Sequence, residues 1–390
     1  MKYVFGTIAL AAVLAEAPPL QRPPAQNLPF SDGAWTLSGN RSEVVKENGR
    51  DVLQVETGFA HRRDVRLEDG TIEFDVQVTR RRSFVYVHFR AEADGEREEF
   101  YLRPHKAGLP DAVQYAPVWQ NRSAWQLHHG PGATAAVEFE PGIWTRVRVV
   151  LQGRQAALFI SDMKEPALLV PNLSREPRSG FIALGGFLPA RVPGEGPIAK
   201  FTDVVVRPGV VPFDFEKALS EGPASAAPAA PDAEGIVRAW SVSRSFVPDA
   251  AGMPALPGPE TTREFQTLET TATGLLELHR HVRVPEKSSV AAAVARIRVR
   301  AAEAGTYPFD LGFSDTATVF LNGRPVFHGD QSYSFDGPRR EGLIGFGQAR
   351  LHLPLAGGEN EVAVLVSDSF GGWGLMARFA AARGLAVEPY

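Results

Sequence analysis

Between Tyr101 and Gly130 the sequence reads YLRPHKAGLPDAVQYAPVWQNRSAWQLHHG, a stretch dense in rings and planar hydrogen-bonding groups. Such side chains suit a polyhydroxylated ring compound: apolar ring faces stack, and a few fixed donors and acceptors take the hydroxyls. On a strand, alternation that turns Phe100 and Leu102 inward turns Tyr101 and Arg103 outward. His88 and Arg90 share the exposed face of a neighbouring strand, and Gln114, Trp119, Trp125, Gln126 and His128 continue the supply. These nine residues form the candidate ligand site. They also have a plainer reading, with Trp119 and Trp125 as core aromatics and the charged groups as a solvated face.

Cleaving a glycosidic bond calls for two carboxyl groups, about 5–5.5 Å apart for retention or about 6.5–9.5 Å for inversion. If the chain is an enzyme, Asp111 and Glu99 are the candidates. Asp111 lies inside the aromatic stretch, and Glu98 and Glu99 begin the Tyr101 strand. Asp111 also suits the turn after Pro110. There are nine histidines. His279 and His281 would share a face on a strand, but no HExxH spacing or carboxylate cluster accompanies them. No cofactor is expected, and calcium held by carbonyls and Asp stays open. No Gly-x-Ser-x-Gly elbow, P-loop or dinucleotide fingerprint is present.

Short strands must carry these side chains. In Thr71–Thr79, TIEFDVQVT, Ile72, Phe74, Val76 and Val78 fall on one face and Glu73, Asp75 and Gln77 on the other. Ser83–Arg90 sets Val85, Val87 and Phe89 against Phe84, Tyr86, His88 and Arg90. Further strands are expected at 99–103, 112–118, 124–128, 179–184 and 200–207, with a hairpin joining 144–151 to 155–160 around Gln152-Gly153-Arg154. Period-two patterning broken by Gly, Pro and Asp predicts antiparallel sandwiches. The 37 Gly and 31 Pro among 390 residues also make long helices improbable.

A run from Val4 to Leu14 after Lys2, followed by small residues, reads as a secretory signal peptide over 1–17. No later run reaches the roughly 18 apolar residues of a membrane helix. The expected destination is secreted or periplasmic. With 41 Lys+Arg against 45 Asp+Glu, net charge −4, nucleic acid is not an expected partner. The absence of cysteine excludes disulfides and thiolate chemistry.

Four parts follow: the signal peptide, a sandwich over 26–209, an Ala/Pro-rich linker over 210–235 and a second sandwich over 236–380. A short helix over Phe215–Glu221 is expected to precede the most Ala/Pro-rich run. In the second sandwich 274–284 reads as a strand, as do 291–300, 306–313, 317–321, 323–328, 349–355 and 361–367; a helix over 290–295 is the alternative, given its alanines. Asn322-Gly323 marks a hairpin turn. Trp373, in Gly371-Gly372-Trp373-Gly374, reads as a core plug rather than a stacking platform.

Two resemblances attach to these segments. DGTIEFDVQV (69–78), GIWTRVRVVL (142–151), SGFIAL (179–184) and FTDVVV (201–206) come in an order that resembles the concanavalin A-like lectin/glucanase sandwich, in its laminin G-like branch and the related domain of 3-keto-disaccharide hydrolases. Ser314-Asp315, TVFLNG (318–323), GENE (358–361) and GGWG (371–374) resemble the galactose-binding-like jelly roll. The first resemblance implies a sugar site on the concave sheet or its rim. Glycosidases of that fold often carry Glu-x-Asp-x-Glu on a strand, whereas this chain has Glu73-x-Asp75-x-Gln77, and Gln77 cannot be a general acid. The leading expectation is an exported, non-catalytic protein that binds an oligosaccharide or polysaccharide. The alternatives are a glycoside hydrolase or lyase using the same face, and a protein–protein interaction module.

Overall fold

The computed structural model describes residues 24–190, 192–221, 234–248, 255–262, 264–286, 288–335 and 340–390. The expected signal peptide (1–17) and the most Ala/Pro-rich part of the linker (222–233) lie outside the described residues. The chain is all-β, built from antiparallel sheets packed as sandwiches.

In the leading block fourteen strands form one continuous sheet that bends over a main core, with a smaller apolar cluster around Phe159 and Phe215. The alternation of Thr71–Thr79 is realised by the strand Gly70–Val78, where Ile72, Phe74, Val76 and Val78 are buried. The opposite face is not open to water: Glu73 is held by Arg146, Arg148 and Arg207. Trp144–Gln152 and Gln155–Ile160 form the expected hairpin, with Gln152 opposite Gln155.

The second block has two sheets, of seven and four strands, enclosing a separate core. Trp240 and Trp373 are fully buried there, so Trp373 is the plug. Asn322 and Gly323, both at positive φ, turn the hairpin that puts Leu321 opposite Arg324. The helix Phe215–Glu221 forms as expected.

Two expectations change, at 274–284 and 124–128, while at 290–295 the expected strand forms and its helical alternative does not. Residues 274–284 do not form one strand: Leu275–Glu277 is extended and Leu278–His281 is a helical turn. His279 is buried in that turn, 3.2 Å from Asp368, and its Nδ1 accepts the Trp373 N–H at 3.0 Å. Residues 290–295 are not helical, because the strand Ala291–Ala301 pairs along its whole length with Gly358–Asp368; tertiary pairing overrides alanine's helix propensity. Residues 124–128 form a turn rather than a strand, following the two-residue strand Arg122–Ser123.

Candidate functional site

Two adjacent strands lay the floor of a groove. In Phe84–Ala91, Val85, Val87 and Phe89 point to the core, which leaves Phe84, Tyr86 and His88 on the other face. In Arg97–Leu102, Phe100 and Leu102 point to the core, which leaves Arg97, Glu99 and Tyr101 beside them. The register sets Tyr86 opposite Tyr101 and His88 opposite Glu99. The tyrosine rings lie 5.5 Å apart, and His88 Nε2 lies 3.3 Å from Glu99 Oε2. Phe59, from the strand Arg50–Leu67, stacks on His88 at 4.6 Å. Gly185 makes room for that ring, since a Cβ there would lie 2.4 Å from Phe59 Cδ1.

The second block supplies the facing wall. Tyr333, Phe335, Glu341 and Ser369–Gly371 come across to close a groove of about 1170 Å³. Trp125 meets Tyr333 and Phe370 edge-on, at 5.7 and 6.3 Å. The loop carrying Phe370 is held at both ends. Asp315 accepts the backbone N–H groups of Ser369 and Phe370 at 2.8 and 3.2 Å, and Gly371 accepts the Gln126 N–H at 2.9 Å. Gly371 sits at φ +93°, where a Cβ would strike Gln126 Oε1 at 2.3 Å, so the close approach of the two blocks requires glycine.

The rim is aromatic and open. Phe187, Phe335 and Phe370 are 45%, 50% and 57% exposed. The floor is polar and shielded. Burial, followed by the charge of Arg97, pushes His88 down to about 4. Burial, followed by Arg82, Lys106 and Arg103, does the same to His105. Both rings are therefore neutral near pH 7. Burial alone would raise Glu99, but the His88 ring beside it and the charge of Arg97 outweigh it and hold the carboxyl below its ordinary range. Burial raises the Tyr101 phenol, which donates to Gln114 Oε1 at 2.5 Å.

The candidate residues divide. His88, Glu99, Tyr101, Arg103 and Trp125 line the groove. Gln114 and Gln126 lie behind it as braces. Gln114 accepts from Tyr101 and Arg103 and donates to the carbonyls of Trp125 and His128, which ties the 125–128 turn to the strand beneath. Gln126 donates to the Glu341 carbonyl and accepts from Ser314. Asp111 also sits behind the lining, paired with Arg103 and Lys106.

Three residues fall elsewhere. Arg90 is fully buried away from the groove and donates to the carbonyls of Glu68 and Gly153. The pairing with Gly180–Phe187 slips at this point and Arg90 has φ +49°, so the strand's alternation breaks. Trp119 packs against the Arg175 guanidinium at 4.5 Å, outside the lining. His128 turns away to Glu277 in the second block, Nε2 to Oε1 at 2.5 Å. Unanticipated lining residues include Phe59, Arg81, Arg82, His105, Lys106 and the whole wall from the second block. His105 and Lys106 stood inside the aromatic stretch and were legible there. The distant wall left no local signal. Among the described residues no three His, Asp or Glu side chains converge as a metal site.

Fold and site together describe an all-β protein with an aromatic-rimmed groove between two sandwich blocks. No family model and no curated protein matches the sequence. Similar solved structures include the carbohydrate-binding module CBM66 from Bacillus subtilis, 10% identical with a TM-score of 0.31, covering 46% of this chain and 93% of that one. A Bacillus licheniformis β-glucanase is 11% identical with a TM-score of 0.37, covering 48% and 99%. A lichenase derived from a mouse hindgut metagenome is 9% identical with a TM-score of 0.36, covering 48% and 98%. These are distant likenesses.

Proposed function

We propose that this chain is an exported carbohydrate-binding protein that holds an oligosaccharide in the groove without cleaving it. The observation that carries the reading is the pairing of an exposed aromatic rim, Phe187, Phe335 and Phe370, with a recessed polar floor that includes Glu99 and Arg103. Exposed rings in a cleft offer stacking faces, and the fixed groups between them offer directional bonds to hydroxyls. A volume of about 1170 Å³ exceeds that of an ordinary small-molecule pocket and suits several sugar units. In this reading residues 1–17 direct export, and the second block is a galactose-binding-like partner domain that walls the site.

Hydrolysis is the second reading, kept because Glu99 lies in the groove with Glu341. A glycosidase needs a carboxylic acid with a raised pKa to protonate the leaving group. Glu99 and Asp111 are both lowered instead. Glu98 is raised, to about 7, but it faces the core and accepts from Tyr115. Recognition of a protein through the same rim is a third reading.

The test is a glycan array on the purified chain, with a reducing-sugar assay on every glycan bound. Binding without release of reducing ends supports the reading. Release abolished by Glu99→Gln would transfer the chain to the hydrolases, and an array with no ligand would overturn the carbohydrate assignment.

A further inference from the structure

The groove wall is strongly basic in a chain that is slightly acidic overall. Arg81, Arg82, Arg97, Arg103, Lys106 and Arg122 line it, against Glu99 and Glu341. The whole chain carries a net charge of −4, so this excess is local. Part of it is neutralised: Asp368 pairs with Arg122, Asp111 is shared between Arg103 and Lys106, Glu341 also reaches Lys106 at 3.2 Å, and Glu99 pairs with Arg97 at 3.3 Å. At the His105 end the compensation is incomplete. Arg82 donates to the Tyr333 hydroxyl at 2.8 Å and lies 3.8 Å over the Phe335 ring. Neither partner carries a negative charge. Arg81 donates to the carbonyls of Gly194 and Gly196, and Glu56, 3.9 Å away, is bound more closely by Arg41. Arg103 is 4% exposed, and its Nε is buried without a hydrogen-bond partner.

We infer that the groove selects an acidic saccharide, one bearing uronate carboxylates or ester sulfates, with an anionic group received between Arg82, Arg103 and Lys106. This inference rests on the carbohydrate reading and names the ligand class. A guanidinium matches a carboxylate or sulfate with two parallel N–H donors, a geometry a neutral hydroxyl does not exploit. Stacked on Phe335, the Arg82 guanidinium is already oriented, so little is lost in ordering it around a ligand. Protonation of His105 is disfavoured by burial and then by these same three cations, consistent with a positive field at this end.

The experiment is calorimetric titration of the full chain with three probes of equal length: an oligogalacturonate, a sulfated oligosaccharide and a neutral cello-oligosaccharide. At low salt at least one acidic probe should bind about tenfold or more tighter than the neutral one, the scale of one charge-assisted contact. Raising the salt should narrow that margin. Arg82→Gln should cut the acidic-over-neutral ratio by roughly threefold or more, Arg82→Lys should restore part of it, and Arg300→Gln, remote from the groove, should leave it unchanged. Preference for the uronate alone or the sulfate alone supports the inference and identifies the group. Equal affinity for acidic and neutral probes overturns it while leaving the carbohydrate reading intact. A preference untouched by Arg82→Gln also overturns it, because the selectivity would then lie outside this subsite. Failure to bind any saccharide overturns both.

Discussion

Glu98 and Glu99 are consecutive on one strand, yet their carboxylates serve opposite faces of the sheet. Glu99 faces the groove beside His88 and accepts from Ser123 at 2.8 Å. Glu98 faces the core, where it accepts from the Tyr115 hydroxyl and from the Arg175 backbone N–H at 3.2 Å. Alternation places them there, and the two environments push their acidities apart.

The pair predicts a pH signature. Burial raises Glu98 to about 7, only partly offset by Tyr115, Arg90 and Arg175. Its folded pKa lies above its unfolded one, so the folded state binds more protons between about 4.5 and 7 and this residue lowers stability as pH rises through that window. His88 has the opposite sign: with its folded pKa at about 4, its contribution is lost as pH falls below about 6.5. Glu98→Gln removes only the first of these. Its Tm relative to the parent chain should therefore rise between pH 5 and pH 8, read by thermal denaturation at constant ionic strength. A difference that stays flat with pH would show that Glu98 ionises normally.

Phe370→Ala should weaken binding of any oligosaccharide the groove accepts by roughly three- to tenfold, from about 0.5–1.5 kcal/mol of ring stacking. The ring is 57% exposed, so Tm should move little. Unchanged affinity in titration would remove the rim from the binding surface.

Trp119→Ala separates the two uses of aromatic residues in this chain. The ring packs against Arg175 outside the groove lining, so stability should fall by about 1–3 kcal/mol in denaturant melts while saccharide affinity stays the same. Loss of affinity with intact stability would return Trp119 to the site.

The floor of the groove was legible in the sequence because strand alternation is a local rule. Once Phe100 and Leu102 are read as core, Tyr101 must face away from it, and the same logic delivers His88. Arg90 escapes the rule because a slip in pairing with Gly180–Phe187 lies between it and His88, and nothing in its own neighbourhood marks that slip. Trp119 and His128 were drawn in by composition, which counts side chains without saying where they point. Tyr333, Phe335 and Phe370 lie more than two hundred positions from Trp125. Their arrival depends on how the two blocks meet, through contacts such as Gln126 with Glu341 and Arg122 with Asp368. Period-two patterning carries no information about that encounter.

The division of the groove between two cores has a mechanical consequence. A saccharide touching both Tyr86 and Phe370 would act as a clasp, and prising one block from the other would first require its release. Occupancy would then be felt far from the contact itself, as a more concerted melting of the two halves.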